Sequence, residues 1–242
     1  EMGYATITDW EFPDDRNPLD TGQPRQTVDE TEAAVRLWEA RVARGPLRNA
    51  RYILKEYLPA ARDVGEQELR VYTDLLDTFP PGASFEDAPV ATLRGWFQTS
   101  PEVESPEFRS QWEERLPDVP APRAGNLWLA FRWGFYKPMS GLGLGTAAQN
   151  KTFWDKLSWP ALVAFGGREG AAKKEAYLRH LVKECLSALV FLHERGVVHR
   201  SLGPSSVGLP FYVEDGESAD ALRVKLRDFG FAARVARLDD ET

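Results

Sequence analysis

The sequence is poor in the residues that build disulfides and metal centres. Its 242 residues include one cysteine, Cys185, and three histidines. One thiol cannot close an internal disulfide, and this cysteine usage is typical of a reducing compartment. So few Cys and His residues also argue against a zinc site. No stretch approaches about 18 consecutive apolar residues, so no membrane-spanning helix is predicted.

Positive charge is also in short supply. Thirty Lys and Arg residues face 37 Asp and Glu residues, which leaves a net charge of −7. A binder of nucleic-acid backbones needs a basic surface, so no nucleic-acid partner is expected. Hydrophobic residues make up 43% of the chain, enough to bury a real core. The chain starts at Glu1 without a signal pattern, and a soluble, intracellular protein is predicted.

Hydrophobic periodicity predicts a mixture of strands and helices. The clearest element is a helix over about 172–194, where an apolar stripe includes Leu178, Val182 and Leu186 and places Cys185 as a buried, inert thiol. A shorter helix is predicted over 65–76, and another around 153–157. The predicted strands are 4–10, 35–42, 52–57, 127–131, 197–198, 207–209 and 222–226.

A proline-rich stretch over about 80–122 interrupts this pattern, with eight of the 17 prolines. Proline fixes φ and lacks an N–H donor, so the stretch cannot be one long regular element. Its aromatic content is too high for disorder. An ordered insertion with short helices is therefore predicted. The tryptophans Trp96, Trp112, Trp128 and Trp133 either belong to the core or form an anchor surface for a partner.

The segment after the long helix carries a recognisable order of motifs. His199-Arg200-Ser201-Leu202-Gly203-Pro204-Ser205-Ser206 is followed by two short predicted strands and then by Asp228-Phe229-Gly230. This order resembles the protein kinase superfamily, whose catalytic loop reads H-R-D-L-K-P-x-N ahead of D-F-G. The resemblance implies an α+β, two-lobed fold with a β-rich N-lobe, one main N-lobe helix and a truncated α-helical C-lobe. The implied bounds are 1–30 for an N-terminal extension, 31–133 for the N-lobe with its insertion at about 80–122, and 134–242 for a partial C-lobe.

The resemblance also implies roles for individual residues. Lys55 matches the lysine of the V-A-I-K strand, and Glu68 matches its partner in the following helix, with Glu66 as a competing acid. Asp228 matches the Mg²⁺-binding aspartate, so ATP and Mg²⁺ are the implied cofactors. Tyr72, His199 and Phe229 match an apolar column that links the lobes in this family, and for them a structural role is expected.

Three positions of the catalytic loop depart from the family pattern. Ser201 stands where the family has its catalytic aspartate, and a neutral hydroxyl is a poor base near neutral pH. Gly203 replaces the loop lysine, and Ser206 replaces the Mg²⁺-binding asparagine. Residues 27–35 also contain no glycine where a Gly-rich phosphate loop is expected. The Gly141–Gly145 run follows the predicted hinge strand and is interpreted as a connection, not as that loop.

These departures lead to a pseudokinase hypothesis: a protein-binding or scaffolding module with at most residual nucleotide binding. The first alternative is an ATP-dependent phosphotransferase with a rearranged site, for which Asp155, Glu214 and Asp215 are candidate acids. The second is a structural subunit of a larger assembly, bound through residues 80–122. The sequence stops 12 residues after Gly230, as expected of a shortened relative or of part of a longer chain. Residues 52–72 also resemble kinase-like proteins of plant and algal plastids, which implies a plastid location.

Overall fold

The computed structural model describes residues 10–11, 35–80, 84–115, 117, 121–132, 134, 137–138, 168–209 and 223–235. The predicted elements at 4–9 and 153–157 lie outside these residues. The chain divides into two compact units. The first comprises residues 1–20, 25–73 and 92–133, and the second comprises 21–24, 74–91 and 134–242. The domain bounds implied by the family resemblance stay a prediction.

The first unit is built on a five-stranded antiparallel sheet with the order β1-β2-β3-β5-β4. Its strands are β1 (Trp10–Glu11), β2 (Val35–Val42), β3 (Arg51–Tyr57), β4 (Leu93–Gln98) and β5 (Leu127–Arg132). Strand β3 is central and pairs with both β2 and β5. Because successive side chains of a strand point to opposite faces, Lys55 and Tyr57 share one face of β3 while Glu56 lies on the other.

Helix α1 (Arg62–Asp77) follows β3 after a 3-10 turn at Pro59–Ala61. It extends three residues further at its start than the periodicity indicated, because the turn leads directly into it. Its inward side chains include Glu68, Tyr72 and Leu75, all fully buried. The ring of Tyr72 contacts that of Phe131 on β5, with centroids 5.3 Å apart.

The opposite face of the sheet is covered by the segment between β4 and β5. A 3-10 turn at Pro101–Glu104 leads into helix α2 (Pro106–Arg115). Trp112 of α2 meets Trp38 edge-on at 6.0 Å, and Phe97 stacks on Trp128 at 5.6 Å. Strand β4 lies inside the range predicted as an insertion, and the segment between β4 and β5 covers 99–126. Its aromatics form a core, whereas Trp96 is 54% exposed and Trp133 lies outside the described residues.

The second unit contains a long helix and short strands in its described residues. The helix is α3 (Arg168–Glu194), and the strands are β6 (Lys137–Pro138), β7 (Val197–Val198), β8 (Val207–Leu209), β9 (Lys225–Leu226) and β10 (Ala233–Arg234). They form a β6-β8-β9 sheet and a β7-β10 pair. The strand predicted at 222–226 is realised only as β9. Val90 forms a bridge with Leu226, which ties 84–91 into this unit.

Helix α3 differs from its prediction in which residues it buries. Leu181, Ala188 and Leu192 are buried, but the predicted stripe residues Leu178, Val182 and Leu186 are exposed, as is Val190. Cys185 is only half-buried, so its predicted full burial is wrong. Partial burial and the neighbouring Glu184 carboxylate raise the pKa of the Cys185 thiol. The apolar surface of α3 is therefore wider than the face that packs inside this unit.

Candidate functional site

Lys55 and Glu68 form a buried ion pair in the first unit. The Lys55 Nζ atom lies 2.7 Å from Glu68 Oε2, and both side chains are less than 10% exposed. The competing acid Glu66 pairs instead with Arg62, one helical turn away on the surface of α1. The pair depends on β3 presenting Lys55 and α1 presenting Glu68 toward each other.

A third residue, Tyr57, completes this cluster. Its hydroxyl donates a hydrogen bond to the same Glu68 oxygen, and its ring lies 5.2 Å from Lys55 Nζ. The other carboxylate oxygen of Glu68 is buried and accepts no hydrogen bond from the described residues. Glu68 is thus held by one charged donor and one neutral donor.

Gly65 explains how α1 comes so close to β3. A Cβ atom at this position would lie 2.5–2.9 Å from three atoms of the Tyr57 ring, and carbon atoms that are not bonded to each other do not pack this closely in proteins. Gly65 and Glu68 are three residues apart and so lie on the same face of the helix. Tyr57 and Gly65 were not singled out from the sequence, although the two-residue spacing from Lys55 and the three-residue spacing to Glu68 are signals that could have found them.

Behind Lys55, on the other face of β3, a second carboxylate is buried. Glu56 accepts hydrogen bonds from Asn126 Nδ2 at 2.7 Å and Trp38 Nε1 at 3.2 Å, and Arg36 lies 3.5 Å away. Burial raises the pKa of Glu56, and these donors partly oppose that shift. Because it lies among the aromatic core, Glu56 belongs to the structure of the sheet.

In the second unit, the altered loop is tied to the turn that contains Asp228. Because a carbonyl only accepts, His199 Nε2 donates to Arg227 O at 2.8 Å, and His199 Nδ1 accepts from Ser201 N at 3.4 Å. The His199 and Phe229 rings are 5.0 Å apart, and both are buried. Because both nitrogens of its ring make hydrogen bonds within this unit, His199 has a structural role. Tyr72 lies in the first unit, so the predicted column stays a prediction.

The loop residues that depart from the family pattern offer only neutral oxygen atoms. Ser206 is buried and its hydroxyl donates to Ser201 O at 2.9 Å. Ser201 is exposed, and Gly203 precedes the 3-10 turn Pro204–Ser206. Arg200, in the left-handed region with φ 60°, donates from Nε to Phe231 O at 2.7 Å. Arg200 thus serves as a structural donor. Position 201 carries a hydroxyl group in place of a carboxylate.

Asp228 also adopts left-handed backbone geometry, with φ 66°, and its side chain is 37% exposed. Arg227 Nε lies 3.3 Å from Asp228 Oδ2. A cationic group of the chain itself therefore faces the carboxylate that would bind Mg²⁺. In the described residues no group of three or more His, Cys, Asp or Glu side chains could hold a metal ion. Mg²⁺ is usually held by one or two carboxylates together with phosphate and water oxygens, so it is the guanidinium beside Asp228, and not the number of side-chain ligands, that fits Mg²⁺ poorly here.

Comparison with known proteins gives local sequence matches, two of which are to protein kinases. The chain is 41% identical over 63 residues to the serine/threonine-protein kinase PAK mbt of Drosophila melanogaster, which is 26% of this chain and 8% of that protein. It is 36% identical over 73 residues to mitogen-activated protein kinase 15 of Caenorhabditis elegans, 30% of this chain and 14% of that protein. No family model matches.

Among solved structures, the crystal structure of the BubR1 kinase domain is similar with a TM-score of 0.49 and 11% sequence identity. The match covers 84% of this chain and 44% of that one. The present chain thus spans a small part of the curated relatives and less than half of this structure.

The sequence matches to kinases and the order of the elements agree with each other. A β-rich first unit with one main helix precedes a long helix, the His199–Ser206 loop and the Asp228 turn. The fold is protein-kinase-like and belongs to the α+β class, so the predicted fold class is confirmed. Among the described residues, no helix is both long and apolar enough to cross a bilayer.

Proposed function

We propose that this chain is a kinase-like pseudoenzyme that acts as a protein-binding or scaffolding module, with at most residual nucleotide binding. The observation that carries this proposal is the loop around Ser201. A neutral hydroxyl stands at the base position, and the neighbouring Ser206 hydroxyl is used to hold the loop backbone. A positioned general base contributes about 10²–10⁴-fold to a rate, so its loss alone removes most of the turnover.

Phosphate transfer is tested with the purified chain, radiolabelled ATP, Mg²⁺ and a generic protein substrate. We expect transfer no greater than that of the Lys55→Met and Asp228→Asn variants, which serve as matched controls. Mg²⁺-dependent transfer by the parent chain, lost in both variants, would refute the proposal. Circular dichroism of all three proteins checks that they are equally folded.

The protein-binding part of the proposal is supported by the outer face of α3. Leu178, Val182, Leu186 and Val190 recur every four residues and are each more than 40% exposed. Such a row of apolar side chains at a four-residue spacing is typical of a helix that packs its apolar face against a partner. Lys183 and Arg179 border it, and Arg179 pairs with Glu175 at 2.6 Å, so the positive charge of Lys183 is what favours a partner helix with an apolar face and acidic flanks.

This surface is tested with two designed amphipathic peptides that share one apolar face and carry acidic or basic flanks. We expect the acidic peptide to bind at least about tenfold more tightly, a difference of about 1.4 kcal/mol. The Val182→Asp variant should abolish binding, whereas Leu47→Asp, at an exposed apolar residue of the first unit, should not. Equal binding of both peptides, or equal effects of both variants, would contradict the assignment.

An active phosphotransferase with a rearranged site is the alternative that one observation favours. The buried Lys55–Glu68 pair, at 2.7 Å, is the arrangement that orients the lysine toward nucleotide phosphates in active kinases. The candidate acids for a rearranged site, Asp155, Glu214 and Asp215, lie outside the described residues. Nucleotide binding that stays undetectable at millimolar concentrations would exclude this alternative.

The structural-subunit alternative rests on residues 80–122. Because Trp112 is buried in the unit's own core, the exposed Trp96 is the remaining aromatic candidate for an anchor there. A plastid location stays a proposal that rests only on the resemblance of residues 52–72.

A further inference from the structure

Arg227 is a buried cation placed directly beside Asp228. Its side chain is 6% exposed. Its Nε donates to Ser205 O at 2.9 Å and lies 3.3 Å from Asp228 Oδ2. Its backbone is fixed as well, since Arg227 N donates to Ser206 O at 3.0 Å and Arg227 O accepts from His199. Residue 227 is thus tied to the altered loop by its backbone, and its guanidinium is tied to the loop by the bond from Nε to Ser205 O.

A buried guanidinium needs a nearby negative charge, because arginine stays protonated and an uncompensated buried charge is very costly. Asp228 supplies that charge. If Asp228 gave its oxygens to Mg²⁺ instead, a dication and a guanidinium would lie within a few ångströms of each other. Like charges at that distance repel, and the buried Arg227 guanidinium has little water around it to screen the repulsion.

The oxygen atoms around this turn do not offset the repulsion. Mg²⁺ loses its water shell reluctantly and needs anionic oxygens to replace part of it. At the position of the second metal ligand, Ser206 presents a neutral hydroxyl whose hydrogen is already donated to Ser201 O. Ser201 itself contributes no carboxylate. Asp228 is therefore the only carboxylate that the described loop and turn direct to this place.

We propose that the Arg227 guanidinium takes the place of the metal ion as the cation that faces Asp228. The turn at Asp228 then binds neither Mg²⁺ nor Mn²⁺. In addition, any nucleotide bound by this chain binds equally well with and without a divalent cation. The metal part of this inference does not depend on the proposed function, whereas the nucleotide part rests on the proposed residual nucleotide binding.

The test uses Mn²⁺ as the probe, followed by electron paramagnetic resonance on the intact chain. For the parent chain we expect no saturable binding up to millimolar Mn²⁺. Arg227→Gln keeps a side-chain donor for Ser205 O but removes the charge, and it should bind Mn²⁺ at least about tenfold more tightly. Arg227→Lys keeps a positive charge and should behave like the parent. Arg223→Gln, which removes an exposed arginine four residues earlier, is the matched control and should change nothing.

Saturable Mn²⁺ binding by the parent chain that disappears in Asp228→Asn would overturn the inference. This comparison does not depend on whether the Arg227 variants fold. A folded Arg227→Gln variant that gains no affinity would overturn it too. Titration of a fluorescent ATP analogue in Mg²⁺ and in EDTA tests the nucleotide part, where more than about tenfold tighter binding with Mg²⁺ contradicts it. A chain that binds no metal yet transfers phosphate would refute the pseudoenzyme proposal and leave this inference intact.

Discussion

Tyr57 gives the Glu68 carboxylate a second hydrogen-bond donor that does not depend on the charge of Lys55. In the kinase mechanism, the lysine–glutamate pair has to form before nucleotide phosphates are held. Here the tyrosine hydroxyl and the close approach at Gly65 hold the Glu68 side chain of α1 against β3, even if Lys55 binds another group. The pair is therefore built into the packing between β3 and α1.

Gly65→Ala tests this packing. The new Cβ would collide with the Tyr57 ring, and overpacking of this kind costs about 1–3 kcal/mol. Alanine favours a helix over glycine by about 1 kcal/mol, so a net loss of stability of up to about 2 kcal/mol is expected. Urea denaturation measures it. The Tyr57→Leu/Gly65→Ala double variant is the control and should lose less than the sum of the single changes. Strict additivity would show that the two residues do not meet.

Glu56 makes the stability of the first unit depend on pH. Burial raises its pKa above the ordinary value of 4.5, so the folded chain holds this proton to a higher pH than the unfolded chain does. Its contribution to stability is therefore fully present below pH 4.5 and is lost as pH rises through the folded-state pKa.

Glu56→Gln should be less stable than the parent at low pH, because an amide nitrogen cannot accept the bonds from Trp38 or Arg36. The difference in the free energy of unfolding should shrink as pH rises above 4.5, because the parent loses stability as Glu56 ionises and glutamine does not ionise. Urea denaturation across a pH series measures this difference, with Glu39→Gln as the control at a partly exposed glutamate. A difference that stays constant or grows with pH would contradict the assignment.

At the scale of elements, helix α3 shows what hydrophobic periodicity can predict and what it cannot. The apolar residues between 178 and 192 correctly predict a long helix that ends before Gly196. They do not show which side is buried, because apolar residues cover more than half of the helix circumference. Burial is decided by neighbours such as β7 and β9, which periodicity cannot locate.

Two leucines of α3 should therefore respond very differently to truncation. Leu181 is 2% exposed and Leu186 is 57% exposed. Leu181→Ala should cost about 2–5 kcal/mol, the usual range for a buried leucine. Leu186→Ala should change stability by less than about 0.5 kcal/mol, as surface substitutions do. Thermal and urea denaturation of both variants measure this, and similar losses would mean that the outer face of α3 is packed.

Other elements were predictable for the same physical reason that α3 was. Strands β2, β3 and β5 carry strong alternating or continuous apolar patterns, and the catalytic-loop and D-F-G motifs fix the order of the elements after α3. Strand β4 was missed because Arg94, Gly95 and Gln98 dilute its pattern and prolines surround it. The contact between Arg227 and Asp228 could not be predicted, since nothing in a sequence tells where a guanidinium points.

At the scale of the whole molecule, the two units carry different parts of the inherited chemistry. The first holds Lys55 and Glu68 in a rigid, well-packed cluster. The second holds Ser201, Ser206 and Asp228 in a loop and turn where position 201 carries a hydroxyl and Arg227 lies 3.3 Å from Asp228. Under the proposed pseudoenzyme function, the Lys55–Glu68 pair is retained as packing of the fold, and the altered loop is the part that removes the transfer chemistry.

Restoring the loop alone should therefore not restore phosphate transfer. In the Ser201→Asp/Gly203→Lys/Ser206→Asn variant, the base, the cation and the second metal ligand return, but Arg227 still neutralises Asp228. We expect no transfer of radiolabelled phosphate above the parent chain. Adding Arg227→Gln should raise Mg²⁺-dependent transfer at least about tenfold, which corresponds to about 1.4 kcal/mol of activation free energy. Adding Lys55→Met as well should remove that gain. Transfer by the triple variant with Arg227 in place would show that the arginine does not keep the metal away.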